Sequence, residues 1–422
     1  MSVGRAPEKS SLTIGIVPLT DCAPIAVAVE RGLYEKRGLD VATTQERSWA
    51  GIRDKVSYGV LDAAQMLATM PLASAAGVIG YAGEFVTGMT LDLNGNAITL
   101  STKLCQEVRD RLGDDWASPR TADALRPCID ARRAEGKPKL RLGAVFPMAT
   151  HDLELRYWLA SGGIDPENDV ELVVVPPPSM VEALTAGRVD GFCVGEPWNS
   201  VAVDEGLGEI AITKHALWAN GTEKVLGVKA EWAAQYPETH LAMIEATLEA
   251  CIWLDDPAHR REACAILALP QYVNVEARLL ERSMTGALVE AKGRDPVAVP
   301  DFHVFHRYQT NLPWRSQAMW FLSQMVRWGG VDPSLDLQGI AASTYREDIY
   351  RQAAENLGLP IPTQGRVTEG THADEWLLPS DRGPVTMGPD RWVDDRTFDP
   401  DDPLRELGPF ANPITPMPSH AG

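Results

Sequence analysis

Cysteine pairs and basic charge are scarce in this sequence, and each shortage excludes a class of protein. Its 422 residues include six scattered cysteines and no C-x-x-C pair. A disulfide framework or a zinc site is therefore not expected, and we predict no metal and no cofactor. With 39 Lys and Arg against 58 Asp and Glu, the formal net charge is -19. That sign disfavours direct binding to nucleic acid or to anionic lipid.

Motifs of the common enzyme classes are missing as well. The sequence contains no G-x-x-x-x-G-K-[ST], no G-x-S-x-G, no H-E-x-x-H and no Rossmann glycine set. Cys22 is the one residue on which an enzyme interpretation rests, because it follows the first predicted strand and a thiolate is activated at a helix N-terminus. The neighbouring Asp21 would instead raise the pKa of that thiol. We therefore predict a protein that is not an enzyme.

Signals for export and for a membrane span are also lacking. Residues 1–11 are polar and contain no apolar core of a signal peptide, so the sequence predicts a cytoplasmic protein. Residues 63–83 carry no charge and are long enough to cross a bilayer. They are rich in Ala and Gly, include Gln65 and Pro71, and have no sustained Leu, Ile or Phe run. We expect no membrane span there.

A weak internal repeat is the most informative feature that the sequence does contain. The apolar segment LTIGIV at residues 12–17 is matched by LRLGAVF at residues 140–146, and Gly15 and Gly143 are 128 positions apart. GVLDAA at residues 59–64 is matched by GRVDGF at residues 187–192, again 128 positions further on. The order strand, helix, strand, helix, glycine, strand therefore occurs twice.

This repeat predicts an α/β fold with two lobes and a ligand cleft between them. The strands are short apolar runs without strict alternation, as expected when helices cover both faces of a sheet. We assign residues 12–100 and 225–358 to a discontinuous first lobe and residues 101–224 to the second. Residues 359–422, rich in Pro and Asp, are predicted to be a C-terminal tail that wraps the lobes.

Five residues at predicted strand ends and helix starts are candidates for a ligand site, because unpaired backbone N–H groups at that edge favour an anion. They are Trp49, Asn96, His151, Gly195 and Lys224. His151 is the sharpest of them, because the periodicity of a helix starts directly at this residue. Each also has an ordinary structural interpretation. Trp49 is compatible with a core residue, Asn96 with a turn former and His151 with a helix cap. Gly195 is compatible with a strand-to-helix turn and Lys224 with a solvated surface charge.

Nine segments together carry a family resemblance. In these segments the chain resembles the nitrate- and bicarbonate-binding proteins of the NrtA/CmpA type, and the segments occur in the same order along both sequences. The segments are residues 18–24, 48–55, 94–99, 150–159, 174–178, 191–199, 223–227, 305–308 and 313–316. The resemblance implies the periplasmic-binding-protein-like II fold, with a small anion held in the cleft between the lobes.

The resemblance also implies a role for each of the five candidates. The family's nitrate-contacting tryptophan, amide, histidine, glycine N–H and lysine fall on Trp49, Asn96, His151, Gly195 and Lys224, with Asn96 in place of a longer glutamine. The bicarbonate branch has an acidic residue that helps to hold Ca²⁺ where this chain has Lys224. We therefore expect nitrate or nitrite. If His151 donates in its charged form, affinity should fall as the pH rises through its pKa.

Two functions are compatible with this family. The first predicted strand begins by residue 12, and in this early start the chain resembles the cytoplasmic sensors of the NasS type. Our first interpretation is thus a nitrate/nitrite sensor that sequesters a NasT-like, ANTAR-type RNA-binding antiterminator and releases it when the anion binds, which regulates nitrate assimilation genes. The alternative is the substrate-binding component of an ABC transporter for nitrate or nitrite. A desulfinase-like enzyme that uses Cys22 is a remote alternative.

Overall fold

Fifteen strands and sixteen α-helices, numbered here in chain order, are formed within the residues that the computed structural model describes, namely 6–78, 83–113, 119–405, 407, 408 and 410. The strands are β1 (Ser11–Ile16), β2 (Asp40–Gln45), β3 (Ala63–Leu67), β4 (Phe85–Asn94), β5 (Asn96–Ser101), β6 (Leu140–Ala144), β7 (Val170–Val174), β8 (Gly191–Gly195), β9 (Gly208–Thr213), β10 (Thr222–Lys229), β11 (Ala287–Leu288), β12 (Val297–Ala298), β13 (His303–Val304), β14 (Trp376–Leu378) and β15 (Val385–Met387).

The helices lie mainly on the faces of the sheets and, after β10, in a long helical region. They are α1 (Ala23–Glu30), α2 (Trp49–Ser57), α3 (Thr69–Ala75), α4 (Thr102–Leu112), α5 (Arg126–Ala134), α6 (Thr150–Ser161), α7 (Met180–Thr185), α8 (Trp198–Glu205), α9 (Lys214–Leu217), α10 (Ala230–Gln235), α11 (Pro237–Asp255), α12 (Arg260–Leu267), α13 (Ala277–Met284), α14 (Arg315–Arg327), α15 (Leu337–Thr344) and α16 (Glu347–Asn356).

Two sheets of matching topology form the centres of two lobes. The first has the strand order β13-β4-β10-β3-β1-β2, and the second has the order β7-β6-β8-β5-β9. Reading the second sheet in reverse, β9-β5-β8-β6-β7, reproduces β4-β10-β3-β1-β2 position by position. In each sheet the three strands of the predicted repeat pair in parallel, and the strand next to them is antiparallel.

The strand register shows that the sequence repeat is a structural repeat. Ile14 lies opposite Ala63 in the first sheet, and Leu142 lies opposite Gly191 in the second. Both members of the second pair are 128 positions beyond those of the first, which is the offset read from the sequence. The two lobes are therefore built on the same local pattern, and their strand ends face a common interlobe space.

The chain passes between the sheets twice. It leaves β4 and enters β5 through Gly95, whose φ of +82° favours glycine and where a Cβ would overlap the ring of His303. It returns between β9 and β10. The lobe boundaries predicted after residues 100 and 224 lie close to these crossings, and the division of the chain into domains stays a prediction.

Burial of apolar side chains holds each sheet to its helices. Leu12, Ile14 and Ile16 of β1 pack in one core with Ala26 of α1 and Met243 of α11. The uncharged segment at residues 63–83 begins as the buried strand β3 and continues as the seven-residue helix α3. In the part of the chain that the structure describes, no helix is both long and apolar enough to cross a membrane.

The described part of the predicted tail runs along both lobes. Trp392 stacks on Trp218, which follows β9, with ring centroids 4.3 Å apart and an interplanar angle of 15°. Tyr157 of the second lobe donates a hydrogen bond to Asp394 at 2.9 Å. Ser316 of α14, in the first lobe, donates a hydrogen bond to Glu369 of the tail at 2.8 Å. The last part of the tail, residues 411–422, lies outside the described residues.

Candidate functional site

The five candidate residues from the sequence lie around one buried cluster between the sheets. Trp49 is the first residue of α2, after Ser48, whose hydroxyl accepts a hydrogen bond from the N–H of Gly51 at 3.2 Å. Asn96 and Gly195 lie opposite each other on β5 and β8. The other two, His151 and Lys224, lie in the first turn of α6 and on β10, and the side chains of Trp49, Asn96, His151 and Lys224 are buried.

Glu223, which the sequence analysis did not select, is at the centre of this cluster. Thr150 and Lys224 donate hydrogen bonds to its Oε1 at 2.8 and 2.6 Å. Asn96 and Lys214 donate to its Oε2 at 2.8 and 2.6 Å. The cluster therefore joins α6, β5, the short helix α9 and β10 through one fully buried carboxylate.

Lys224 links this carboxylate to Asp21, which follows β1. Its Nζ lies 2.8 Å from the Oδ2 of Asp21 and 2.6 Å from the Oε1 of Glu223. The same Nζ is 5.5 Å from the ring centroid of Trp49, within the range of a cation–π contact. The backbone N–H of Lys224 donates to Asp92 at 3.2 Å. Lys224 is therefore a buried, paired cation and not a solvated surface charge.

Lys214 is a second buried cation that the sequence analysis missed. Its Nζ lies 2.7 Å from the Oε1 of Glu154 and 2.6 Å from the Oε2 of Glu223. It also donates to the backbone carbonyl of Thr222 at 2.7 Å. Asn96 connects the same two carboxylates, since its amide donates to Glu154 at 2.9 Å as well as to Glu223. One lysine and one amide thus serve the second-lobe side of the cluster.

An irregularity in β10 explains how two consecutive residues reach one site. Thr222 pairs with Leu93 of β4, and Lys224 pairs with Asp92, so Glu223 is an extra residue in the ladder. Side chains of neighbouring strand residues normally point to opposite faces. A bulge re-aims them, and here it brings the carboxylate of Glu223 and the ammonium of Lys224 into contact.

Burial, together with an excess of carboxylates over cations, shifts the pKa values in the cluster. Burial raises the pKa of Asp21 to about 6 and that of Glu154 to about 7, although Lys224 and Lys214 respectively oppose the shift. Burial alone would raise the pKa of Glu223 too, but the two lysines hold it below its ordinary value. Near neutral pH the central carboxylate is therefore charged, while Glu154 and Asp21 are close to taking up protons.

His151 is neutral in this environment. Burial lowers its pKa to about 3. The negative charge of Glu223 opposes this shift, whereas the positive charges of Lys224 and Lys214 add to it. Its Nε2 lies 3.2 Å from the Oε1 of Glu223. Donation from a charged His151 is thus disfavoured near pH 7, and the neutral imidazole is the form that the site presents.

The indole of Trp49 and the thiol of Cys22, both singled out in the sequence analysis, are buried. The indole N–H of Trp49 is buried and has no hydrogen-bond partner among the described residues. Cys22 is fully buried, and its burial together with the charge of Asp21 raises the pKa of its thiol. A protonated, enclosed thiol is a poor nucleophile, so the geometry gives no support to chemistry at Cys22.

Comparison with known proteins assigns the chain to a family. Residues 5–268 match the model of the NMT1-like family. The nitrate/nitrite binding protein NrtA of Synechococcus elongatus is 34% identical over 96% of this chain and 87% of its own length. The crystal structure of the periplasmic nitrate-binding protein NrtA from Synechocystis PCC 6803 superposes with a TM-score of 0.83 at 29% identity, covering 96% of this chain and 99% of that one.

Longer import proteins match as well. The nitrate import ATP-binding protein NrtC of Synechocystis is 40% identical, and the bicarbonate transport ATP-binding protein CmpC of the same organism is 36% identical, over 96% and 95% of this chain. The chain spans only 56% and 55% of the length of these two relatives. The chain belongs to the NMT1-like family and, within it, to the NrtA/CmpA type with its two-lobed periplasmic-binding-protein-like fold.

Proposed function

We propose that this chain binds a small monovalent oxyanion, nitrate or nitrite, between its lobes and serves as the substrate-binding component of an ABC-type transporter. The observation that carries the proposal is the convergence of Asn96, His151 and Lys224 from both lobes on one enclosed cluster. Burying a weakly basic anion requires several donors and at least one cation. The unpaired indole N–H of Trp49 is a further donor beside Lys224.

Lys224 is the reason for preferring nitrate over bicarbonate, since relatives of both kinds match this chain. The family resemblance implies an acidic residue at this position where Ca²⁺ accompanies bicarbonate. Here the position holds an ammonium that already contacts Asp21 and Glu223. A second cation beside it would be repelled at short range. The site therefore suits a single anion better than a metal–bicarbonate pair.

Isothermal titration calorimetry of the purified chain tests the ligand. Nitrate and nitrite are expected to bind with one site per chain, and bicarbonate with Ca²⁺ is expected to give no comparable heat. Binding of bicarbonate with Ca²⁺ in preference to nitrate would overturn the assignment. Nitrate uptake into vesicles that contain a nitrate ABC transporter, measured with and without added chain, tests the transport role.

Nitrate affinity is expected to rise as the pH falls from about 8 to about 6. The entering anion lies beside Glu154 and Asp21 and raises their pKa values further, so the complex takes up protons that the free protein lacks. Uptake of one proton gives at most about a tenfold gain in affinity per pH unit. Calorimetry at several pH values, in buffers of different ionisation enthalpy, counts the protons directly.

Two variants identify the groups responsible for that pH dependence. Glu154→Gln should reduce it to the part that Asp21 contributes, because the variant removes one titrating carboxyl while keeping an acceptor for Lys214. His151→Gln should weaken binding but keep the pH dependence, since the imidazole is already neutral throughout this range. An affinity that is flat with pH in the unmodified protein would contradict the expectation.

The sensor interpretation is the less supported candidate, because the matched relatives carry the names of binding and import proteins. One property favours it: a net charge of -19 suits a basic partner protein. In that case the chain would be cytoplasmic and would hold a NasT-like antiterminator until nitrate arrives. Size-exclusion chromatography of the pair, with and without nitrate, and cell fractionation test these two points.

A further inference from the structure

We propose that Glu223 limits the anion affinity of this site by acting as a tethered oxyanion that competes with the ligand for its donors. The inference rests on the proposed function, because it concerns the same cluster. It assigns Glu223 a role beyond holding the lobes together: an entering anion has to take hydrogen-bond donors from a carboxylate that already uses them.

The donors around Glu223 are those that an anion would need. Four donors reach its two oxygens at 2.6 to 2.8 Å: Thr150 Oγ1, Lys224 Nζ, Asn96 Nδ2 and Lys214 Nζ. A fifth group, His151 Nε2, lies 3.2 Å from Oε1 and makes no hydrogen bond among the described residues. Asn96, His151 and Lys224 are also the residues that the sequence predicts to contact the ligand. A carboxylate has about four lone-pair positions, so these donors leave it no capacity for more.

The shape of the carboxylate makes the competition direct. It is planar, monovalent and delocalised, like nitrate and nitrite, and presents two oxygens at similar spacing. The group is attached to β10 of the first lobe, whereas four of its five neighbouring groups belong to Asn96, Thr150, His151 and Lys214, which lie at or beyond the crossing into the second lobe. An anion that replaced it would make the same bridge between the lobes.

Charge gives the competition its direction. The side chains of Asp21, Asp92, Glu154 and Glu223 face the lysines of the cluster, with His151 and His303 beside them. Adding an anion while Glu223 keeps its charge places two like charges within a few ångströms, which is unfavourable in a buried site. If Glu223 competes with the ligand, removing its charge should therefore strengthen nitrate binding. If Glu223 only orients the donors, removing its charge should weaken nitrate binding.

Glu223→Gln separates these two outcomes. Glutamine keeps the size and one acceptor oxygen but removes the charge, so nitrate affinity measured by calorimetry is expected to rise by about tenfold or more. The matched control is Glu209→Gln, which removes the charge of another buried carboxylate, one that accepts hydrogen bonds from Arg109 and Arg120 outside this cluster. Its nitrate affinity should stay within about twofold. Unchanged or weaker binding by folded Glu223→Gln would overturn the proposal.

A second variant tests the idea without nitrate. Glu223→Ala removes the tethered carboxylate, and formate, a planar monovalent carboxylate, should then occupy its donors. Formate is expected to raise the thermal midpoint of Glu223→Ala well above its effect on the unmodified chain, even if the variant folds poorly on its own. Equal shifts in both proteins would overturn the proposal. Rescue by formate in a chain that binds neither nitrate nor nitrite would instead reject the proposed function alone.

Discussion

Replacing Lys224 with methionine is expected to weaken nitrate binding by about a hundredfold and to lower the free energy of unfolding. The ammonium contacts both Asp21 and Glu223 in a site that water does not reach. Removing one partner of a buried charge network costs about 3–5 kcal/mol of stability. Loss of a buried cation from an anion site costs about 3 kcal/mol of binding, or about a hundredfold in affinity.

Urea unfolding and nitrate calorimetry of the same protein sample check the two effects. Lys229→Met is the matched control, because Lys229 ends the same strand and forms an ion pair with the exposed Glu231 at 3.0 Å. Its stability should change by less than about 0.5 kcal/mol. Methionine is preferable to glutamate at residue 224, since glutamate would bury another anion next to Asp21 and Glu223. Wild-type nitrate affinity in Lys224→Met would remove this residue from the site.

Local sequence patterns were sufficient to predict the two-lobed fold. A strand, a helix and a capping glycine are each specified by a few neighbouring residues, so two copies of one pattern 128 positions apart predict two copies of one sheet. The pairing of Ile14 with Ala63 and of Leu142 with Gly191 follows from that local order. The antiparallel strands β5 and β10 could not be placed in this way, because each enters its sheet from the other half of the chain.

The candidate site was predictable only in part, for a similar reason. Trp49 and His151 lie at helix starts, a position that sequence periodicity reveals. The central role of Glu223 depends on the bulge in β10, and that of Lys214 depends on where its helix meets β10. Neither a register shift nor a contact across lobes leaves a periodic signal. The acid–lysine pair directly before the apolar run at residues 225–228 was the one available clue.

The nature of the tail was also only partly visible in the sequence. Its Pro- and Asp-rich composition predicted a C-terminal tail that wraps the lobes. Composition does not show which residue anchors such a segment. In the structure the anchor is Trp392, which packs against both Trp218 and Trp320, with ring centroids 4.3 and 4.6 Å away.

Trp392→Ala is therefore expected to be among the most destabilising single substitutions in the chain. Trp392 is 4% exposed and also contacts Tyr157 of α6 at 5.1 Å between ring centroids. Truncation of a buried tryptophan removes a large apolar area and leaves a cavity, at a cost of about 3–5 kcal/mol. Urea unfolding followed by tryptophan fluorescence and by circular dichroism measures the loss.

A control substitution in the same tail shows whether the loss of stability comes from the buried packing of Trp392 or from any replacement of an apolar tail residue. Leu377 on β14 is 66% exposed, so Leu377→Ala should change the free energy of unfolding by less than about 0.5 kcal/mol. Because Trp218 lies on the segment that returns the chain from β9 to β10, loosening its stacking partner should also weaken nitrate binding. A loss of less than about 1 kcal/mol in Trp392→Ala would mean that the lobes hold this crossing without the tail.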